Sequence, residues 1–439
     1  MGLACVALGS IILLLWSAGM ARTSSSRMVD YRAFYFDARI LVQGGDPYSA
    51  LEPTQLGESE GARAPETRVS LPNEFTYLYL PSALVISSPL ALLSWHSAQI
   101  LWMLLNGGVL ILAGFLMWDL GADYAPLLSG ILIGLFLANS ESLLFQGNIS
   151  GIVVGPCLIA AWCFLRNRFG LIGVLCLAVS LAIKPHDSGF VWLFFLLAGG
   201  LYRKRALQSL LATVCIGLAS LLWFAHVAPH WPQELRANIA ATTVQGAAND
   251  PGPTSATPAI VNSAINLQTL LAVLWNEPPF YNYATFLLCA VLLLAWFFTS
   301  LRSRLTLPRS LIALAFLSAF SMLPVYHRHH DGKLLMLAVP ACALLLKKRR
   351  LAGIAALFFT AFALAMNADI PRVILSQWEK HMVFSAATFS GKLMTLLLDR
   401  PAPLAVLAMT LFYLWACRRT GGDAIPAEPV ESATVGTVT

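Results

Sequence analysis

Long apolar runs recur along this chain from Leu3 to Trp415, and no other feature restricts its possible folds as strongly. A hydrocarbon layer takes about 20 apolar residues per helix. Lipid offers no partner to exposed backbone groups, so runs without strand-like alternation must be helical. The balance of the 439 residues agrees: 58% are hydrophobic and 11% charged, far from the mixture of a soluble domain. The sequence therefore predicts an all-α polytopic membrane protein. The first run, Leu3 to Met20, lacks basic residues ahead of it and is longer than a signal-peptide core, so it reads as an uncleaved first helix.

Short basic clusters between the runs set the expected topology. Arg166/Arg168, Arg203/Lys204/Arg205, Arg302/Arg304, Lys347/Lys348/Arg349/Arg350 and Arg418/Arg419 mark cytoplasmic edges under the positive-inside rule. Alternation then places "KPHD" (184–187), the 228–282 loop, "PVYHRHHD" (324–331) and the 367–401 loop on the outer side, together with a first outer loop at 22–74. Four runs (76–93, 98–117, 125–144, 148–165) separate outer Asp30 from inner Arg166, where an odd number of crossings is needed. Pro81 and Pro89 single out 76–93 as a broken, re-entrant or interfacial piece. About twelve spanning helices of this length result, in one integral-membrane domain over 1–419. The small, polar, Pro-containing tail 420–439 reads as disordered and cytoplasmic.

Composition also excludes function classes. The net charge of +6 is dispersed among these clusters, so no nucleic-acid partner is indicated. The eight cysteines lie in apolar segments without a CxxC pair and read as small buried hydrophobes, not disulfides or zinc ligands. Neither GxxxxGK[ST] nor GxGxxG is present, so an activated sugar would have to arrive on a lipid.

Ionisable residues near a membrane are costly, and here they gather at the outer edges. Asp30, Arg32, Asp37, Arg39 and Asp46 come from the first loop, and Glu141 and Gln146 from the next. Lys184, His186 and Asp187 follow, then His327, Arg328, His329, His330, Asp331 and Lys333. Plainer roles exist for several of them. Asp30 suits the N-cap of "YRAFYFDARILV", Asp37 and Arg39 suit a solvated helix face, "GGDPY" is a turn signal, and Lys184 suits snorkelling. "HRHHD" offers metal ligands by type, but His329 and His330 are adjacent and should diverge on a helix or a strand. The segment is therefore read as phosphate- or sugar-binding rather than metal-binding, with simple interfacial solvation as the alternative. "VNSAINLQ" supplies Asn262, Asn266 and Gln268 as sugar contacts, with capping of a helix near Leu267 as the alternative.

Across residues 29–340, "VDYRAFYFDARILVQGGDPYSA", "FTYLYLPSALVISSPLALL", "FQGNISGIVVG", "AIKPH", "NSAINLQTLL" and "LPVYHRHHDGKLLMLAVP" stand in an order that resembles glycosyltransferase family 87. That family includes bacterial polyprenol-phosphate-mannose-dependent mannosyltransferases and belongs to the GT-C superfamily. The resemblance implies a GT-C-like bundle in the bacterial inner membrane that acts as a hexosyltransferase. It would move a sugar, mannose first among them, from a polyprenyl-phosphate donor to a glycolipid or glycan acceptor on the outer side. Asp30 matches the position of the base on the acceptor hydroxyl. Lys184, His186, His327 and Arg328 would stabilise the departing phosphate, and His330, Asp331, Tyr31, Tyr48, Gln146, Asn148, Asn266 and Gln268 complete the expected substrate-binding set. The transfer is expected to be inverting and metal-independent, with no cofactor and with membrane lipids as surroundings. A transporter or lipid flippase is the rival reading, for which ionisable residues should lie near the bilayer midplane. A non-catalytic assembly subunit is a third.

Overall fold

The computed structural model describes residues 1–23, 28–49, 78–300, 306–379 and 388–422. In chain order the helices are α1 (Gly2–Thr23), α2 (Val29–Val42), α3 (Pro81–Ala91), α4 (Trp95–Ala122), α5 (Pro126–Ala138), α6 (Glu141–Phe145), α7 (Ser150–Leu165), α8 (Gly170–Ile183), α9 (Pro185–Ala198) and α10 (Gly200–Val227). They continue as α11 (Trp231–Thr243), α12 (Pro258–Val261), α13 (Leu267–Leu274), α14 (Pro278–Ser300), α15 (Leu307–Phe320), α16 (Ala338–Lys348), α17 (Arg350–Met366), α18 (Asp369–Glu379), α19 (Phe389–Met394) and α20 (Pro401–Gly422). A 3₁₀ turn over Asp331–Leu337 precedes α16. Among the described residues no strand forms, and pairing is confined to one antiparallel bridge between Ala264 and Arg328. The expected tail at 420–439 falls almost wholly outside the described residues, as do Arg302, Arg304 and most of the first loop beyond Ser49.

The architecture is all-helical and of the polytopic membrane type. Among the described residues α1, α4, α10, α14 and α20 are long and apolar enough to cross a bilayer; α17 and α18 add one more if their 71° bend is taken as a break within a single span. The apolar helices α3, α5, α7, α8 and α15 have 10–17 residues, and the expected twelve crossings depend on how these are counted.

Helix α3 is the short piece that the odd crossing number singled out. Its 11 residues rise about 16 Å, and both its flanks stay with α2. The Tyr48 hydroxyl donates to the Tyr79 carbonyl just before α3 (2.7 Å), and the Tyr35 hydroxyl to the Leu93 carbonyl just after it (2.8 Å). Helix α4 then runs to the far end, where Arg166 Nε meets Asp119 Oδ2 at 2.9 Å. Helix α5 returns, and the Asn139 carbonyl after it accepts the Asp369 amide (3.0 Å); α7 leaves again toward Arg166. Pro89 does not break α3 as expected but sits inside its last turns. The Val85 carbonyl, which Pro89 cannot serve, accepts the Ser88 hydroxyl instead (2.8 Å).

Helix α1 is built into the bundle. A Cβ on Gly9 would fall 2.1 Å from the Gly134 carbonyl oxygen, and one on Gly130 would fall 2.1 Å from that of Gly2. The α1 and α5 backbones therefore touch through paired glycines, the small-residue packing that lipid-embedded helices use. The continuous core lies where α4, α7, α15 and α16 bury their apolar faces. Helix α2 corrects the expectation of a solvated face. Wedged against α3 and α4, it leaves Asp37 only 3% exposed, and burial pushes that carboxyl well above its ordinary range. Arg39, half-buried, donates to the Tyr35 hydroxyl at 2.7 Å.

Candidate active site

The start of α2 is docked onto the "FQGN" turn between α6 and α7. The Met28 amide donates to the Phe145 carbonyl (2.7 Å) and the Asp30 amide to the Gln146 carbonyl (3.0 Å). Gly147 has φ +70, and a Cβ there would lie 2.6 Å from the Tyr31 Cβ, so the turn can close against α2 only with glycine at that position. Met28, not Asp30, is the residue before the helix. The capping alternative for Asp30 is thus not realised, and its carboxylate instead accepts from Asn148 Nδ2 at 2.6 Å.

From Asn148 a chain of polar contacts runs across the end of the bundle. The Ser150 amide donates to Asn148 Oδ1 (3.0 Å), and the Ser150 hydroxyl lies 2.6 Å from the same oxygen and in close contact with Asp331 Oδ1. A hydroxyl has one proton, so it serves one acceptor at a time. Asp331 Oδ1 pairs with Lys184 Nζ at 2.5 Å, and its Oδ2 accepts the Arg328 amide at 3.0 Å. Lys184 also stands 3.4 Å from Asp187 Oδ2. Asp187 Oδ1 lies 2.8 Å from His327 Nε2, a close approach without hydrogen-bond alignment, and 3.7 Å from His186 Nε2. His327 Nδ1 sits 2.9 Å from the Val325 carbonyl, to which it donates.

Lys184 owes its place to Pro185, which cannot continue α8 and opens α9 as its first residue. Burial works against the ammonium, but Asp187 and Asp331 outweigh it and raise the lysine above its ordinary range. Lys184 does not snorkel to the surface. Two phenols share the field of these groups. Tyr79 and Tyr326 are each pushed up to about 12, first by burial, with Lys184 and Arg328 lowering them and Asp30 and Asp331 raising them. Both therefore stay neutral donors.

A second network backs the first. Asp369, just past the α17–α18 bend, accepts from the Ser142 amide (2.8 Å) and hydroxyl (2.6 Å). The Ser142 hydroxyl is also 3.1 Å from His329 Nε2 and 3.5 Å from His330 Nδ1. His330 Nε2 reaches Gln146 Oε1 at 3.1 Å. The two histidines were expected to diverge, yet their ring centroids are 3.8 Å apart. The segment is neither helix nor strand, and its turn folds both rings onto Ser142. Burial holds both imidazoles well below their ordinary range, aided by the positive charge of Arg328 and Lys333.

Asp30, Asn148, Lys184, His186, His327, Arg328 and Asp331 are thus brought together, with Gln146 and His330 alongside. Tyr31 is instead packed in an aromatic stack, its ring 4.3 Å from that of Trp102. Tyr48 positions the Tyr79 segment and closes the "GGDPY" turn by donating its amide to Asp46 Oδ1 (2.9 Å). Asn266 donates to Gln268 Oε1 (2.7 Å) and Gln268 to Asn282 Oδ1 (2.6 Å), so these amides bond one another rather than the Asp30 chain. Asp187, Ser150, Tyr79, Tyr326 and Asp369 join the site without having been singled out as site residues. For Asp187 there was a signal, its placement three residues after Lys184 at a helix start.

A family model described as Glycosyltransferase family 87 matches residues 77–324, more than half of the chain. No curated protein and no solved structure gives a significant match. The matched stretch holds Gln146, Asn148, Lys184 and Asp187, and the fold adds Asp30 from before it and His327 to Asp331 from after it. A match of that extent on an all-helical membrane architecture has one reading: the chain belongs to glycosyltransferase family 87 and is a membrane glycosyltransferase.

Proposed function

We propose that the protein transfers a sugar, mannose foremost, from a polyprenyl phosphate to a hydroxyl of a glycolipid or glycan acceptor, with inversion at the anomeric carbon. The observation that supports this reading is the unbroken polar chain from Asp30 to His327, drawn from four separate loops to one end of the bundle. Asp30 is its one partly exposed carboxylate, whereas Asp187 and Asp331 are buried and ion-paired. Asp30 takes the acceptor proton. The acceptor oxygen bonds to the anomeric carbon as the bond from that carbon to the phosphate oxygen breaks, and polyprenyl phosphate leaves with one more negative charge. Arg328, with neutral Tyr79 and Tyr326, faces that charge, and Lys184 fixes the floor beneath it. A single displacement with one available carboxylate inverts configuration.

The site would face outward from a bacterial inner membrane, where lipid-linked sugars serve in place of nucleotide sugars. Grouping of the ionisable residues at one end of the helices, not midway along them, favours this over a transporter. Purified protein offered a panel of radiolabelled polyprenyl-phosphate sugars tests the reading, with the anomer of the product as the check on inversion. No transfer from any member of the panel, or a product of retained configuration, overturns it.

A further inference from the structure

We infer that His186, Asp187 and His327 form a binding site for a divalent first-row transition ion, with zinc the first probe. Their ligand atoms all lie within 4.8 Å of one another. Bonds of about 2.0–2.2 Å to a tetrahedral ion put ligand atoms roughly 3.4 Å apart. The separations of 2.8 Å and 3.7 Å from Asp187 Oδ1 to the two imidazoles bracket that spacing.

Three further observations point to a ligand. Both Asp187 oxygens and His327 Nε2 are buried and make no aligned hydrogen bond, their nearest polar neighbours being one another and the Lys184 ammonium. His327 Nδ1 gives its proton to the Val325 carbonyl, the second contact that ligating histidines commonly make and that leaves Nε2 as the free lone pair. The polar chain as a whole is also not over-supplied with cations: Asp30, Asp187 and Asp331 against Lys184 and Arg328 leave −1, so a divalent cation beside it is not opposed by net charge.

Three protein ligands leave a position open, and His186, with 40% of its side chain exposed, forms the accessible rim. The inference rests on the transferase reading for its use, since the open position would take an oxygen of the donor's phosphate. It also departs from the metal-free centre expected from sequence. That expectation weighed only the neighbours His329 and His330, whereas the ligand set here is assembled across two loops from residues 140 positions apart.

Full-length protein purified without a histidine tag and stripped with EDTA should take up about one zinc per chain, measured by elemental analysis. Cobalt at the same site should give the intense visible absorption of a four-coordinate ion. His186→Ala, at the exposed rim, should weaken zinc at least 10-fold without unfolding the protein, and Asp187→Asn should abolish it. Absence of a stoichiometric ion, or uptake unchanged in His186→Ala, overturns the site. A bound ion in a protein that transfers no sugar would sink the proposed substrate and leave the metal site standing.

Discussion

Asp30 Oδ2 and Asn148 Nδ2 lie 2.6 Å apart although 118 residues separate them in the chain. The contact orients one carboxylate oxygen; in the proposed reaction the other would meet the acceptor hydroxyl. Asp30→Asn should lower sugar transfer at least ~100-fold, the scale of a lost general base, with thermal unfolding in detergent unchanged. Asn148→Ala should cost less and act mainly on kcat. Activity in Asp30→Asn near that of the parent protein would remove Asp30 as the base.

Lys184 and Asp331 form a buried pair, and the loss of one partner strands the other. Lys184→Met should destabilise the fold by about 3–5 kcal/mol. Pairing it with Asp331→Leu should recover much of that stability, though no transfer. Unfolding curves of the two single variants and the double variant measure the coupling directly.

Tyr48 acts at a distance through the Tyr79 carbonyl. Tyr48→Phe should cost about 1 kcal/mol, a typical single hydrogen bond. If Tyr79 then drifts, KM for the donor should rise more than kcat falls.

Glu141 gives stability a pH signature. Its ordinary value of 4.5 is pushed up to about 7, first by burial and then by the charge of Asp369. Between those values the folded chain holds a proton that the unfolded chain has released, so stability should fall as pH rises from 4.5 to 7 and level off above. Glu141→Gln should flatten that slope and raise the unfolding temperature at pH ~8. His329 and His330 act in the opposite direction below about 6.5: held neutral by burial, they resist protons that the unfolded chain accepts, so stability should also fall on acidification.

Gly134 allows α1 to sit directly on α5. Gly134→Leu should expel α1 from its groove and destabilise the protein by several kcal/mol, comparable with severe overpacking. Protease sensitivity at the start of the chain would report the displacement.

The helices were readable because lipid leaves apolar runs little choice of conformation. The members of the polar chain were readable because charge at a membrane edge is conspicuous. Their pairings were not. Nothing local distinguishes Lys184 bound to Asp331 from Lys184 exposed at the surface, since the two stand 147 positions apart in the chain. Asp37 looked solvated because helical spacing alone does not reveal that α2 is packed into the bundle on that face. Tyr79 was hidden in a run that reads as hydrocarbon, and its phenol matters only once Tyr48 anchors the segment beside Asp30. Asp369 gained its place from the bend after α17, which no residue pattern announced.

Ser150 stands between the base and the lysine with a single hydrogen to give. When that hydrogen turns to Asp331, the amide oxygen of Asn148 is left with the Ser150 backbone alone; when it turns to Asn148, Lys184 is left as the one donor to Asp331 Oδ1. The two halves of the centre are therefore joined through one rotating O–H bond, whose direction decides which of them is served.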